Sequence, residues 1–195
     1  MFEDEPEGAS PLDPDEAAEL IPSHLRSRAD LNAWEQANIL RATKWTLRAR
    51  TPVFDEKTVR ELHRRMFDET WQWAGKYRTS DKTIGVYWAT VPEEVRKLVD
   101  DGKYWIEQET FGLQEAALRL HHRMVKIHPF ANGNGRHARL WADLILRQHN
   151  REPFEWKPKE LNQLGEARRV YIAALQSADA GDYEPLCGLL LGDQE

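Results

Sequence analysis

The most constraining stretch of the chain is His128-Pro129-Phe130-Ala131-Asn132-Gly133-Asn134-Gly135, set between two segments of helical period. Before it, Leu113, Ala117, Leu120, Met124 and Ile127 recur at three- and four-residue steps and form one apolar stripe. The stripe halts at His128-Pro129, because proline pushes the residue before it out of the helical region. Beyond the glycines a helix is expected from Arg136 to about Gln148, burying Leu140, Trp141, Leu144 and Ile145.

The rest of the chain reads as helices around that junction. From about Arg28, the residues Leu31, Trp34, Ala37 or Asn38, Ile39, Leu40 and Thr43 recur at helical steps, with Ser27 or Asp30 able to cap and Thr51-Pro52 as the stop. Asp55 can cap a second helix carrying Val59, Leu62, Met66 and Phe67. Pro92, Glu93 and Glu94 open another, through Val95, Leu98 and Val99 to Ile106. Two more are expected near 159–177 and 182–191. Between Gly75 and Thr90 the residue types change: Tyr77, Thr79, Thr83, Ile84, Val86, Tyr87 and Trp88 favour extended structure, with Ser80-Asp81-Lys82 as a turn, so a small hairpin is expected. The fold class is all-α with that one hairpin.

Composition excludes several classes. With 195 residues the chain can bury a core in one domain. One cysteine, Cys187, cannot build a disulfide framework, which points to a reducing, cytoplasmic setting. No basic, apolar leader is present, and no run approaches the roughly 18 apolar residues of a membrane span. The formal net charge of -6 is carried by residues 1–20, which hold eight acids and no Lys or Arg, and the remainder stands at +2. Residues 1–27 are therefore taken as an acidic, proline-interrupted arm, and 28–195 as the folded domain.

Residues 116–142 hold no acid, but they contain Arg119, Arg123, Lys126, Arg136, Arg139 and four of the seven histidines. In the loop, Gly133, Asn134 and Gly135 stand at the entry to a helix, where unpaired backbone N–H groups and the dipole favour an anion. Arg136 and Arg139 lie three apart, so two planar forks can meet one polyphosphate. A neutral His128 beside a bound phosphate can take a proton from a hydroxyl. Gly133-x-Gly135-x-x-Ala138 satisfies a dinucleotide fingerprint on paper, but helix rather than strand precedes it. No P-loop or His-Glu-x-x-His motif occurs, and His121-His122 lacks a third metal partner. A nucleic-acid recognition module is likewise absent from the reading.

The stretch from His128 to Arg139 resembles the signature of the Fic/Doc superfamily, His-Pro-Phe-x-Asp/Glu-Gly-Asn-Gly-Arg-x-x-Arg, and matches eight of its nine fixed positions. Trp73-Ala-Gly-Lys-Tyr-Arg-Thr79 is similar to the entry of that family's flap, and Ala29 to Ile39 to a bacterial subgroup called mobile mystery protein B. The resemblance implies a helical Fic fold with a hairpin flap, and transfer of AMP from ATP to a Tyr, Ser or Thr hydroxyl of a target protein. It makes His128 the base, Gly133, Asn134 and Gly135 an anion hole, Arg136 a ligand of the β- and γ-phosphates and Arg139 of the γ. The flap, through Thr79, Ile84, Gly85 and Val86, would pair with a target segment. Gly135, where the phosphorylating branch has Lys, favours nucleotidyl over phosphoryl transfer.

The departure is Asn132, where the family places the Asp or Glu that binds Mg2+. An amide oxygen is a weaker, neutral ligand, so Asn132 is expected to hold Mg2+ or Mn2+ poorly. The alternative function is a catalytically weakened module that binds nucleotide or a protein partner. The family's inhibitory helix pattern, Ser/Thr-x-x-x-Glu-Gly/Asn, is not matched: Thr90 to Glu94 is followed by Val95, and Leu31 to Glu35 fails at both ends. Restraint is thus expected from an antitoxin-like partner in trans, unless Arg139 pairs with an internal Glu, with Glu35 the first candidate.

Overall fold

The structure is a computed structural model that describes residues 12–48, 50–156 and 165–192. These contain eight α-helices: α1 (Pro14–Ala18), α2 (Arg28–Thr46), α3 (Glu56–Phe67), α4 (Val91–Glu107), α5 (Leu113–Ile127), α6 (Asn134–Gln148), α7 (Glu166–Asp179) and α8 (Glu184–Leu191). The segment 157–164, where one expected helix would begin, lies outside the described residues. Among the described residues there is no strand, only an antiparallel bridge between Leu20 and Trp71. No described helix is long and apolar enough to cross a membrane.

Local chemistry accounts for the helix ends. Ser27 and Asp30 form a reciprocal capping box on α2: the Asp30 N–H donates to Ser27 Oγ at 3.1 Å and the Ser27 N–H to Asp30 Oδ2 at 3.0 Å. Asp55 caps α3 through the Lys57 N–H. Val59, Leu62, Met66 and Phe67 are fully buried, as their spacing requires. α5 packs along α6, α2 on α3 and α4 on α5, around a core of Phe67, Trp71, Phe130, Trp141, Leu118 and Leu120.

The buried face of α2 departs from the apolar expectation. It consists of Leu31, Glu35, Asn38, Ala42 and Thr46, while Leu40 is 54% exposed. Its polar members are satisfied: Asn38 Nδ2 donates to Thr70 Oγ1 at 3.0 Å, and Thr46 Oγ1 accepts from Arg147 at 3.0 Å.

The expected hairpin at 76–88 is corrected to a folded-back loop without a strand ladder, and Trp88 opens a 3-10 turn (Trp88–Thr90). The cause is Arg78, whose side chain reaches across the space that a ladder would fill. Its Nε donates to the His128 carbonyl at 2.7 Å and its Nη1 to the Ser80 carbonyl at 2.8 Å. Its Nη2 donates to the Val86 carbonyl. Backbone bonds tie the same loop to the junction, from the Arg78 N–H to Pro129 O (3.0 Å) and from the Val86 N–H to Ile127 O (3.3 Å). Gly85, at φ +122°, is where a Cβ would meet Arg78 Nη2 at 2.7 Å and His128 Cβ at 2.8 Å, so only glycine fits there.

Residues 12–27 brace the loop from outside. Lys82 Nζ contacts Asp13 Oδ2 at 2.9 Å and Glu16 Oε2 at 2.5 Å, and Ser80 Oγ donates to Asp13 at 2.7 Å.

Replacing Arg78 by Met removes three donors and leaves buried carbonyls unpaired, at about 1–3 kcal/mol each. Arg78→Met is expected to lose about 3 kcal/mol in urea unfolding and to be cleaved faster within 78–88 by limited proteolysis. An unchanged midpoint and cleavage pattern would show that Arg78 does not fasten the loop.

Candidate active site

The site is built on the α5–α6 junction. His128 ends α5 in the left-handed conformation (φ 54°, ψ 60°), its N–H donating to Met124 O at 3.1 Å. Its ring is turned so that Nδ1 meets the Val125 carbonyl at 3.2 Å. A carbonyl only accepts, so Nδ1 carries the proton and the lone pair resides on Nε2, the atom able to take a further proton. Burial lowers the His128 pKa to about 4, opposed by the Val125 bond and aided by the charges of Arg78 and Lys82. The imidazole is therefore neutral at pH 7.

The loop is closed by Asn134. Its Oδ1 accepts from the Phe130 N–H and its Nδ2 donates to the Phe130 carbonyl, both at 2.8 Å. The anion-hole expectation for Asn134 thus applies to its backbone amide, since its side chain is engaged. Gly133 has φ +77°, and a Cβ there would lie 2.5 Å from Phe67 Cζ. A Cβ on Gly135 would meet nothing within 4 Å, so the first turn of α6 has open space beside it. The amides of Asn134, Gly135 and Arg136 belong to that turn and have no intrahelical acceptor.

The two motif arginines take partners from different helices. Arg136 Nη1 donates to Glu35 Oε2 of α2 at 2.6 Å, and its guanidinium lies 4.9 Å over the Phe67 ring. Glu35 is 5% exposed and also accepts from Trp71 Nε1 at 2.8 Å. Arg139 turns toward α7, where it is buried against Tyr171. The expected form of an internal restraint is a Glu paired with Arg139; Glu35, on the inner face of α2, pairs instead with Arg136, and no inhibitory motif marks it.

Asn132 Oδ1 accepts from the Gly133 N–H at 2.6 Å and faces Arg136 Nη2 at 3.4 Å. Its single amide oxygen is thus next to a fixed cation. Among the described residues no group of three or more His, Cys, Asp or Glu could hold a metal ion. The donor set does not fit a protein-held divalent cation.

Sequence reasoning passed over His63, Arg78 and Tyr171. His63 is fully buried and stacks on Phe130 at 3.7 Å between centroids. It accepts from the Gly75 N–H at Nδ1 and donates from Nε2 to the Asn132 carbonyl, each at 3.0 Å. Arg78 was visible only as part of Trp73–Thr79, and no local signal marked the other two. Of the flap residues, Thr79, Ile84 and Gly85 are exposed and Val86 is half-buried.

Residues 53–146 match the model of the Fic/DOC family. The chain carries a Fic/DOC domain. It is 33% identical over 129 residues to protein adenylyltransferase fic-1 of Caenorhabditis briggsae, an alignment covering 64% of this chain and 24% of that protein. The chain thus spans about a quarter of the length of the curated relatives it matches. The structure of Fic-1 (residues 134–508) from C. elegans superposes with a TM-score of 0.66 at 27% identity, over 89% of this chain and 51% of that one. An ADP-bound Fic domain from Bartonella quintana shares the fold, with a TM-score of 0.66 at 17% identity over 86% of each chain. The helical architecture here is that of the Fic fold.

The neutral, buried histidines of the Fic domain set its pH response. His63 and His121 are held well below 6.5 by burial, and burial lowers His128 and His137 to about 4. On acidification through 6.5 the unfolded chain takes up these protons and the folded chain does not, so stability is lost between pH 6.5 and about 4. Asp143 opposes this: burial pushes its carboxyl up to about 6, so the folded state binds a proton between 6 and 3.8 that the unfolded state does not. Four histidines outweigh one acid, and the urea midpoint is expected to fall from pH 7.5 to 6 to 5. A midpoint that rises over that range would refute the burial of these imidazoles as neutral groups.

Proposed function

We propose that the chain is a protein adenylyltransferase, moving AMP from ATP to a Tyr, Ser or Thr hydroxyl of a target protein. The observation that carries this is His128: a neutral imidazole, its Nδ1 proton fixed on Val125, held one short loop from the open first turn of α6. The backbone amides of Asn134, Gly135 and Arg136 would receive the phosphates. The target hydroxyl would give its proton to His128 Nε2 while its oxygen attacks the α-phosphorus and pyrophosphate departs. The names of the fic-1 relatives support the reaction, and the ADP-bound Bartonella domain supports a nucleotide at this fold. Thr79, Ile84, Gly85 and Val86 would meet the target segment. Mg2+ or Mn2+ is assigned no step, because the donor set at Asn132 does not fit a protein-held ion.

With α-labelled ATP and a bacterial lysate, the purified chain is expected to label protein and His128→Ala to abolish labelling. Absence of transfer with Mg2+ or Mn2+ at high concentration would count against the enzyme. The engaged Asn132 oxygen favours a second reading, a catalytically weakened module that binds nucleotide or a protein. Asn132→Asp separates the two: labelling gained only in that variant assigns the natural chain to the weakened module.

Restraint would then come from Glu35, which holds Arg136 on α2, in place of the antitoxin-like partner expected in trans. Glu35→Gln keeps an acceptor for Trp71 and removes the charge. It is expected to raise ATP affinity about tenfold, the measure of one charge-assisted bond released. Equal affinity in a calorimetric titration would return the restraint to a separate partner.

A further inference from the structure

Resting on the reading in which Arg139 meets the terminal phosphate, we propose that Tyr171 is the residue that positions Arg139, so that α7 sets the preference for nucleoside triphosphates over diphosphates. Three helices meet at this point: His121 comes from α5, Arg139 from α6 and Tyr171 from α7, and all three are buried. Tyr171 lies outside residues 53–146, and no motif includes it.

The Tyr171 hydroxyl stands between an imidazole and a guanidinium. The Tyr171 oxygen is 2.9 Å from His121 Nε2, and the phenol also bonds the Arg139 guanidinium, whose Cζ is 6.0 Å from the ring centroid. A guanidinium only donates, so the phenol oxygen is the acceptor in its bond with Arg139. Burial and the nearby Arg139 charge both keep His121 neutral. Its Nδ1 has no hydrogen-bond partner among the described residues, so the ring is oriented through Nε2 and the Tyr171 oxygen. The phenol thus joins the imidazole of α5 to the guanidinium of α6. Arg136 is drawn toward α2 by Glu35, whereas Arg139 is turned to the α7 side, with Asp143 of its own helix also near it.

The test is calorimetric titration of ATP and ADP into the full chain and into Tyr171→Phe, which keeps the ring and removes the oxygen. ATP affinity is expected to fall about tenfold and ADP affinity to stay unchanged. Arg139→Ala should show the same selective loss, and the double variant no further loss. A Tyr171→Phe protein that keeps the natural ATP-to-ADP ratio, or loses both ligands equally, overturns the proposal. If the natural chain binds neither nucleotide, the adenylyltransferase reading falls and the selectivity with it. The underlying geometry has its own readout: 15N chemical shifts of His121 without nucleotide are expected to differ between the natural chain and Tyr171→Phe, and unchanged shifts would overturn the arrangement. Should Tyr171→Phe not fold, His121→Gln, which retains an acceptor, is expected to keep the ratio and His121→Leu to lose it.

Discussion

The site depends on one closed ring of hydrogen bonds, the Asn134 amide clasping both backbone groups of Phe130. A turn containing two glycines has large conformational freedom in the unfolded chain, and without closure His128 and the first turn of α6 would have no fixed relation. The clasp needs Phe130 to be immobile, and that is supplied by the stack of its ring on His63. His63 in turn is held at both nitrogens by backbone groups from two other segments, the Gly75 turn and Asn132. One histidine thus joins α3, the entry to the flap and the motif loop. It can do so only as a neutral ring, since one nitrogen must accept while the other donates.

Neutral histidines leave the guanidinium groups as the principal buried charges around the junction, and each is held by a different device. Arg78 is surrounded by carbonyl oxygens, Arg136 by a carboxylate and Arg139 by a phenol. These partners differ in how readily an anion could displace them. Carbonyl dipoles around Arg78 are backbone and fixed, which suits a structural fastener. A carboxylate on a side chain is a true competitor for phosphate, whereas a neutral phenol orients a cation without cancelling its charge. The same residue type therefore performs three tasks within a small volume.

Much of this was legible in the sequence, and the parts that were not share a cause. The helices over 55–67, 113–127 and beyond Gly133 follow from apolar period, proline and capping residues, and the motif loop follows from its own residue types. Local rules failed where a distant group decided the outcome. The segment 76–88 has the composition of a hairpin, yet Arg78 takes the carbonyls that a ladder would have used. Leu40 faces solvent while Glu35 and Asn38 are buried, because Trp71, Arg136 and Thr70 wait for them on the far side. Arg136 and Arg139 share one helix and a three-residue spacing, but their directions are set by α2 and α7, which no pattern within 128–139 encodes.

The departure at Asn132 and the buried position of Glu35 are two halves of one electrostatic arrangement. Arg136 Nη2 stands 3.4 Å from Asn132 Oδ1 while Nη1 pairs with Glu35 at 2.6 Å. Were residue 132 a carboxylate, the guanidinium would be shared between two anions, and at such distances inside a protein each would pull with several kcal/mol, about 4 kcal/mol at an effective dielectric of 20. The neutral amide removes one of those anions. It leaves Glu35 as the one carboxylate paired with Arg136 among the described residues. A buried carboxylate that has lost its cation is strongly unfavourable, so Glu35 binds Arg136 most firmly in a chain with Asn at 132. The Asn132 oxygen and the Glu35 carboxylate are therefore coupled through one guanidinium, and a change at either residue alters how Arg136 is held.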